Sequence, residues 1–194
     1  LTAMRWFPVG LVVPVLVLLL TARGLTLAQV GQVMAVYSVV TLLLELPTGG
    51  LADGWGRRPV IVGSAVVQAA ALAGLALAST QLHIVAAAAG LGAARALSSG
   101  PVEAWFVDAS HALGHNDVES GLARGQMSEA LALGGGAVIG GLLPNVGDLP
   151  VTGSGLIGLS VPFLVAGAMA LAYAVAAWLL LTGDRASGSG VGRT

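Results

Sequence analysis

The sequence predicts an all-α membrane protein with six transmembrane helices. Its mean hydropathy is +0.91, and only 9% of its 194 residues are charged. So few polar groups could not cover the surface of a water-soluble domain. Long runs without charge also recur along the chain, and about 20 helical residues suffice to cross the hydrocarbon core of a bilayer. The absence of cysteine excludes disulfides and thiolate metal sites.

Each helix is bounded by charges or by turn-forming residues. The first span ends before Arg23, and the second ends at the glycines around position 49. The long run that follows Pro59 is interrupted by Ser79-Thr80-Gln81, which divides it into two spans. The last span begins after a segment rich in Gly, Pro, Ser and Thr. The predicted helices are 4–22, 27–49, 59–78, 82–108, 126–143 and 157–181.

The positions of the arginines predict the orientation in the membrane. If the N-terminus is cytoplasmic, all arginines but two lie on the cytoplasmic side, as the positive-inside rule requires. The exceptions are Arg23, on the outer side, and Arg95, within the membrane. We therefore expect a multi-pass protein of the plasma membrane with both termini cytoplasmic. Residues 1–182 would form the bundle, and residues 183–194, rich in Gly, Ser and Arg, a flexible cytoplasmic tail.

The segment between the second and third spans concentrates charge in a short, glycine-rich break. We expect a tight loop at the membrane surface. Asp53 and Arg57 are four residues apart, so they would face each other on a helical turn. Asp108, at the cytoplasmic end of the predicted fourth span, is the natural third member of this cluster. Two interpretations remain open: a charge latch between helices, or a solvated loop whose charges only set topology.

This segment resembles motif A of the major facilitator superfamily, G-x-L-A-D-R-x-G-R-R/K. Gly54 replaces the usual arginine at the sixth position. The resemblance implies that the chain is the N-terminal six-helix half of that fold, built from two inverted three-helix repeats. It also implies a latch that stabilises the outward-facing arrangement. The residues that match the motif in register are Gly49, Leu51, Ala52, Asp53, Gly56, Arg57 and Arg58.

Ionisable residues within the predicted spans are candidates for substrate binding or proton coupling. On a continuous helix Arg95 would lie about 20 Å from Asp108, near the membrane midplane. A charge there is costly unless it is paired or faces water. Arg95 could hold an anionic substrate, tune a proton-binding acid, or pair with Glu45 or Glu103. These two carboxylates are expected to be buried, with a raised pKa suited to proton coupling. Capping of each by backbone or by Arg95 is an equally open alternative.

The fifth predicted span contains a run of small residues that favours close helix packing. Gly136, Gly140 and Gly141 also resemble the end of the antiporter motif C, G-P-x-x-G-G. Ala137 replaces the proline of this motif, so the motif, which is typical of exporters, is incomplete here. We favour close packing as the explanation of these glycines, and export remains plausible.

The pattern favours a secondary transporter of a small molecule, proton-coupled and possibly an efflux carrier. The alternative is a non-transporting assembly or receptor subunit that reuses the fold. We expect no enzymatic activity, no catalytic residues, no cofactor, no metal site and no nucleic-acid partner. The expected partners are the lipid bilayer, a small-molecule substrate and a second six-helix half. One half, beginning with Leu, suggests either a fragment or a half-size protein that dimerises.

Overall fold

The computed structural model describes residues 2–99, 118–145 and 158–180. Within these ranges, only the backbone is described for residues 46–55, 57, 118–120 and 145. The described residues form six α-helices, so the all-helical prediction is confirmed. Short 3-10 helices, Leu143–Asn145 and Gly158–Ser160, follow the fifth helix and precede the sixth. The predicted tail, 183–194, lies outside the described residues. The six helices are α1 (Thr2–Ala22), α2 (Leu27–Trp55), α3 (Arg57–Leu77), α4 (Gln81–Ser98), α5 (Val118–Leu142) and α6 (Val161–Leu180).

Four helical segments in the described part of the chain are long and apolar enough to cross a membrane, judged by length and composition. The helices α4 and α5 do not reach this level of hydropathy. The 18 residues of α4 include Gln81, His83 and Arg95, and α5 contains Arg124, Glu129 and many glycines. Six crossings therefore stay a prediction. The four segments are Thr2–Ala22, Leu27–Glu45, Arg58–Leu77 and Gly158–Leu180.

The ends of the helices follow local sequence signals. Thr26 begins α2 with a capping box, in which its hydroxyl accepts from the Gln29 backbone N–H and the Gln29 side chain accepts from the Thr26 backbone N–H. Thr80 caps α4 by accepting from the backbone N–H of His83. Gly24 has a φ of +87° in the turn before α2, a conformation that favours glycine. These signals explain why the predicted starts of α2 and α4 lie within one residue of the observed ones.

The charged break between the second and third spans differs from the expected loop. The backbone of α2 stays helical through Asp53 to Trp55, and α3 begins at Arg57. The connection is the single residue Gly56, whose φ of +87° turns the chain sharply. The predicted tight loop is therefore a one-residue turn, much shorter than the glycine-rich segment suggested. Glycine disfavours a helix by only about 1 kcal/mol relative to alanine, so the glycines around position 49 do not end α2.

The core is formed by apolar side chains from helices that are distant in sequence. The main packing partners are α1 with α5 and α6, α2 with α4, and α3 with α4 and α6. Leu19 of α1, Leu75 of α3 and Phe163 of α6 are each at most 1% exposed and lie in one cluster. Helix α2 has few contacts with α1 and α3. Helix α2 is therefore held in the bundle mainly by α4.

Arg23 links the turn after α1 to the ends of two other helices. Its guanidinium donates to the backbone oxygens of Leu75 and Ala76, in the last turn of α3, and to Ser160 Oγ at 3.3 Å. The last carbonyls of a helix have no partner within the helix, and a positive charge there interacts favourably with the helix dipole. Arg23 therefore caps the end of α3, which gives a structural reason for an arginine on the predicted outer side.

Candidate functional site

A cavity of about 360 Å³ lies among α1, α2, α3 and α4. Its walls are mainly apolar, with a few polar groups contributed by each helix. No carboxylate from the described part of the chain lines it. Cavities of 300–1,000 Å³ with apolar walls and a few placed polar groups are typical of small-molecule sites. The polar or aromatic side chains among the lining residues are Arg5, Trp6, Tyr37, Gln68, Arg95 and Ser98.

Two arginines meet over one tryptophan at the end of this cavity. The guanidinium carbon of Arg95 lies 4.5 Å from the centre of the Trp6 ring, and that of Arg5 lies 5.4 Å from it. Both distances fit cation–π contacts. Arg5 also donates to Ser98 Oγ at 3.0 Å, and Ser98 in turn donates to the backbone oxygen of Arg95 at 2.9 Å. The first turns of α1 and the last turn of α4 therefore hold one cationic cluster.

The position of Arg95 corrects the predicted extent of the fourth helix. Helix α4 ends at Ser98, and Ser99 has an extended conformation, so a continuous helix over 82–108 is wrong. The Ser99 hydroxyl donates to the oxygen of Ala96, and Gly100 precedes a proline, a position at which helical backbone is disfavoured. Arg95 consequently lies at the level of Arg5 in the first turns of α1. Its placement at mid-helix, on which the midplane estimate depended, is not observed.

Of the two carboxylates that were possible partners of Arg95, the structure describes only Glu45, and it does not bring Glu45 to Arg95. Within the described residues its guanidinium contacts no carboxylate, so the expected pairing with Glu45 is absent. We expected the side chain of Glu45 to be buried. It is exposed, because it lies on a face of α2 that no other described helix covers. Glu103 lies outside the described residues.

The predicted latch falls almost entirely outside the described part of the chain. Of Asp53 and Arg57 the structure gives the helical backbone but no side chain, and Asp108 is not among the described residues. Gly49 lies within α2, and Gly56 forms the corner between α2 and α3. The latch accordingly stays a prediction.

Arg58, the last residue of the motif, contacts the end of α6. Its guanidinium carbon lies 4.0 Å from the centre of the Trp178 ring, and the guanidinium donates to the Trp178 backbone oxygen. This carbonyl is in the last turn of α6, where backbone oxygens lack partners within the helix. Arg58 therefore joins the start of α3 to the end of α6.

The contact between Arg58 and Trp178 should contribute measurably to stability. We expect Arg58→Gln and Trp178→Leu each to lower the free energy of unfolding by about 1 kcal/mol, a magnitude usual for partly exposed cation–π pairs. The double variant should lose less than the sum, because the two changes remove the same contact. Unfolding by SDS, followed by tryptophan fluorescence, measures these values. Arg124→Gln, which replaces an exposed arginine of α5, is the control. If the double variant lost as much stability as the two single variants together, the contact between Arg58 and Trp178 would be contradicted.

The glycines of α5 differ in what surrounds them. A Cβ atom added at Gly136 would lie 2.6 Å from the oxygen of Phe7, and one added at Gly140 would overlap the oxygen of Leu11. Gly10 of α1 faces Gly136 at the same contact. By contrast, a Cβ added at Gly141 would meet no described atom within 4 Å. Gly136 and Gly140 thus lie at the interface of α1 and α5, and Gly141 does not.

Sequence reasoning did not identify Trp6, Arg5, Ser98 or Trp178 as part of any site. Two of them did carry a signal: Arg5 and Trp6 stand together at the start of the first apolar run. Tryptophan and arginine at such positions are usual for membrane interfaces, so composition alone gives no reason to assign them a further role. Only the packing of α1 against the other helices brings them to Arg95.

Comparison with known proteins identifies the family. The family model of the Major Facilitator Superfamily matches residues 1–193, nearly the full chain. No curated protein matches the chain. A match of this extent agrees with the all-helical fold and the motif between α2 and α3. The protein therefore belongs to the major facilitator superfamily, a family of membrane transporters rather than enzymes.

Proposed function

We propose that the protein forms one half of a secondary transporter that moves a small molecule at the expense of an ion gradient. The cavity bounded by α1–α4, with Arg95 among apolar walls, carries this proposal. A charged side chain in such surroundings is costly, and ionisable residues inside membrane bundles usually mark substrate or ion pathways. Membership of the family supports the same class of function.

The helix pairings support an architecture of two inverted repeats, α1–α3 and α4–α6. Two such repeats would make α1 equivalent to α4, α2 to α5 and α3 to α6. If each helix is replaced by its equivalent, the α1–α5 contact becomes the α2–α4 contact. The same replacement converts α1–α6 into α3–α4 and leaves α3–α6 unchanged. Six-helix halves of this family are built in this way. The chain would cross the plasma membrane six times, with both termini in the cytoplasm.

Proton coupling and the latch belong to the same proposal. Glu45 and Glu103 are the proposed proton-binding carboxylates, and Glu45 lies on the open face of α2, where a second half would cover it. Asp53, Arg57 and Asp108 would form the charge latch that stabilises the outward-facing arrangement. The direction of transport would be export if the glycines of α5 act as a degraded antiporter motif.

Replacing Asp53 by Asn should slow transport by about tenfold while leaving membrane insertion intact. A hydrogen-bonded charge pair that is partly desolvated contributes about 1.5–3 kcal/mol, and 1.4 kcal/mol corresponds to a factor of ten. Transport rates in proteoliposomes, measured with the chain joined to a second six-helix half, give the effect. Asp53→Glu retains the charge and should recover part of the rate. Wild-type rates in the Asn variant would contradict the latch.

The experiment that tests the function uses the chain joined to a second six-helix half. Because both termini are expected on the cytoplasmic side, two copies can be fused in tandem through a flexible linker. Proteoliposomes loaded with the pH dye pyranine are given a proton gradient and a panel of anionic, cationic and neutral solutes. Solute-dependent proton movement, with uptake measured in parallel by mass spectrometry, supports a coupled carrier. A folded protein that moves no solute would contradict it and favour an assembly or receptor subunit.

A further inference from the structure

The cavity among α1–α4 has a charge distribution that indicates what it binds. Its long walls are apolar, formed by residues such as Val12, Val33 and Leu72. Its positive charge is concentrated at one end, where Arg5 and Arg95 lie within 5.4 Å of the centre of the Trp6 ring. An apolar chamber with a cationic end is complementary to a molecule with an apolar body and an anionic group.

Arg95 is the group that most needs such a partner. Its side chain is half-buried, and its guanidinium carries five N–H donors. Among the residues that the structure describes, it makes a cation–π contact with Trp6, and no described side chain or backbone oxygen accepts a hydrogen bond from its guanidinium. A ring face offsets part of the cost of removing the charge from water, but it leaves the donors available. A carboxylate can accept two parallel hydrogen bonds from one guanidinium.

Arg5 increases the preference for an anion. It lies against the same ring and is oriented by its hydrogen bond to Ser98. Two positive charges this close repel each other, and this repulsion is stronger among apolar walls than in water. An anion bound beside the two guanidinium groups would be attracted by both of them, whereas a cation would be repelled by both. The site therefore selects by sign of charge as well as by shape.

We propose that the cavity binds an organic anion, a carboxylate with a compact aromatic or aliphatic body, whose carboxylate contacts Arg95 and whose body lies along the apolar walls. This assignment rests on the proposed carrier function, since it names the substrate class of that same cavity. Trp6 would fix both arginines and contact the body of the bound molecule. A volume of about 360 Å³ accommodates a molecule with one or two rings.

The test uses the purified 194-residue chain in nanodiscs made of phosphatidylcholine, which carries no net charge. Binding of 2-naphthoate and of its neutral analogue 2-naphthamide is measured by isothermal titration calorimetry. The two probes share one ring system, so their difference reports the contribution of the carboxylate. We expect 2-naphthoate to bind more tightly, and Arg95→Gln to weaken its binding by about 10- to 100-fold, the loss usual for a hydrogen bond between charged groups.

Single substitutions distinguish binding in the cavity from a general effect of the protein's positive charge. Arg5→Gln should weaken naphthoate binding less than Arg95→Gln, and neither change should affect naphthamide strongly. Arg124→Gln alters an exposed arginine of α5 outside the cavity and should leave both affinities unchanged. An equal loss in Arg124→Gln would overturn the proposal, as would equal binding of the two probes by the wild-type chain.

Lipid is the alternative source of an anion at this end of the bundle. In nanodiscs that contain phosphatidylglycerol, naphthoate should still bind through Arg95. Thermal stabilisation by phosphatidylglycerol that depends on Arg95, with no naphthoate binding in either membrane, would overturn the small-molecule assignment. Transport of a neutral or cationic solute by the two-half protein would refute the substrate class and leave the carrier function intact. Naphthoate binding without transport of any solute would instead refute the carrier.

Discussion

Replacing Gly140 by alanine should separate α1 from α5 and destabilise the bundle. The added Cβ atom would overlap the backbone oxygen of Leu11 and lie 2.7 Å from its Cα atom. Backbone atoms cannot rotate away as a side chain can, so the two helices must move apart. Overpacking of a tight contact usually costs about 1–3 kcal/mol. In a membrane, losing this close contact directly weakens the association of α1 with α5, because helix association there depends on close van der Waals packing.

Gly141→Ala is the matched control for this prediction. It makes the same chemical change one residue further along α5, where an added Cβ meets no described atom within 4 Å. Alanine also favours a helix over glycine by about 1 kcal/mol, so this variant should be neutral or slightly more stable. SDS titration followed by tryptophan fluorescence would compare the two free energies of unfolding. Equal effects at both positions would show that the α1–α5 contact is not as close as described.

The 194-residue chain alone should not transport. Only 11% of the apolar window of α2 is buried, against 39–50% for the other three candidate spans. This leaves one face of α2, with Glu45, uncovered by the described helices. Carriers of this family enclose their site between two halves related by an axis along the membrane normal. We therefore expect solute uptake by the isolated chain to equal that of protein-free liposomes, and a tandem fusion of two copies, or a second half expressed with it, to restore uptake.

Two measurements check this second prediction. Light scattering of the purified chain gives its mass free of detergent, and uptake into liposomes is measured on the same preparation. A monomer that moves solute would refute the need for a second half. An inactive chain that the tandem fusion also fails to rescue would count against the proposed carrier as a whole. The Gly140→Ala fusion should be inactive as well, because it disturbs the bundle in each half.

Some functional features followed from short stretches of sequence. The positions of Arg57 and Arg58 after an apolar run, with glycines spaced around Asp53, were sufficient to predict the family that the full-length match confirms. Such a motif is contiguous in the chain, so its spacing can be compared directly. The cluster at the cavity is different: Arg5 and Arg95 are 90 positions apart, and nothing local relates them.

The helix ends show where local reasoning fails. It placed the starts of α2 and α4 well because Thr26 and Thr80 cap them through contacts within three residues. The end of α2 was predicted too early because the glycines and Asp53 after position 49 indicated a break, whereas the backbone there remains helical. The fourth helix was predicted to continue beyond Ser98 because apolar residues resume after Ser99-Gly100-Pro101.

The sequence by itself determined that this is an all-helical chain of the major facilitator type, because hydropathy, helix length and a contiguous motif are properties of neighbouring residues. The tertiary structure alone decided which side chains meet. The rotation and pairing of helices depend on packing between segments far apart in the chain. Gly140, for example, packs against the backbone of α1, whereas the adjacent Gly141 does not. For that reason the stack of Arg5, Trp6 and Arg95, and the contact of Arg58 with Trp178, emerge only when the six helices are packed together.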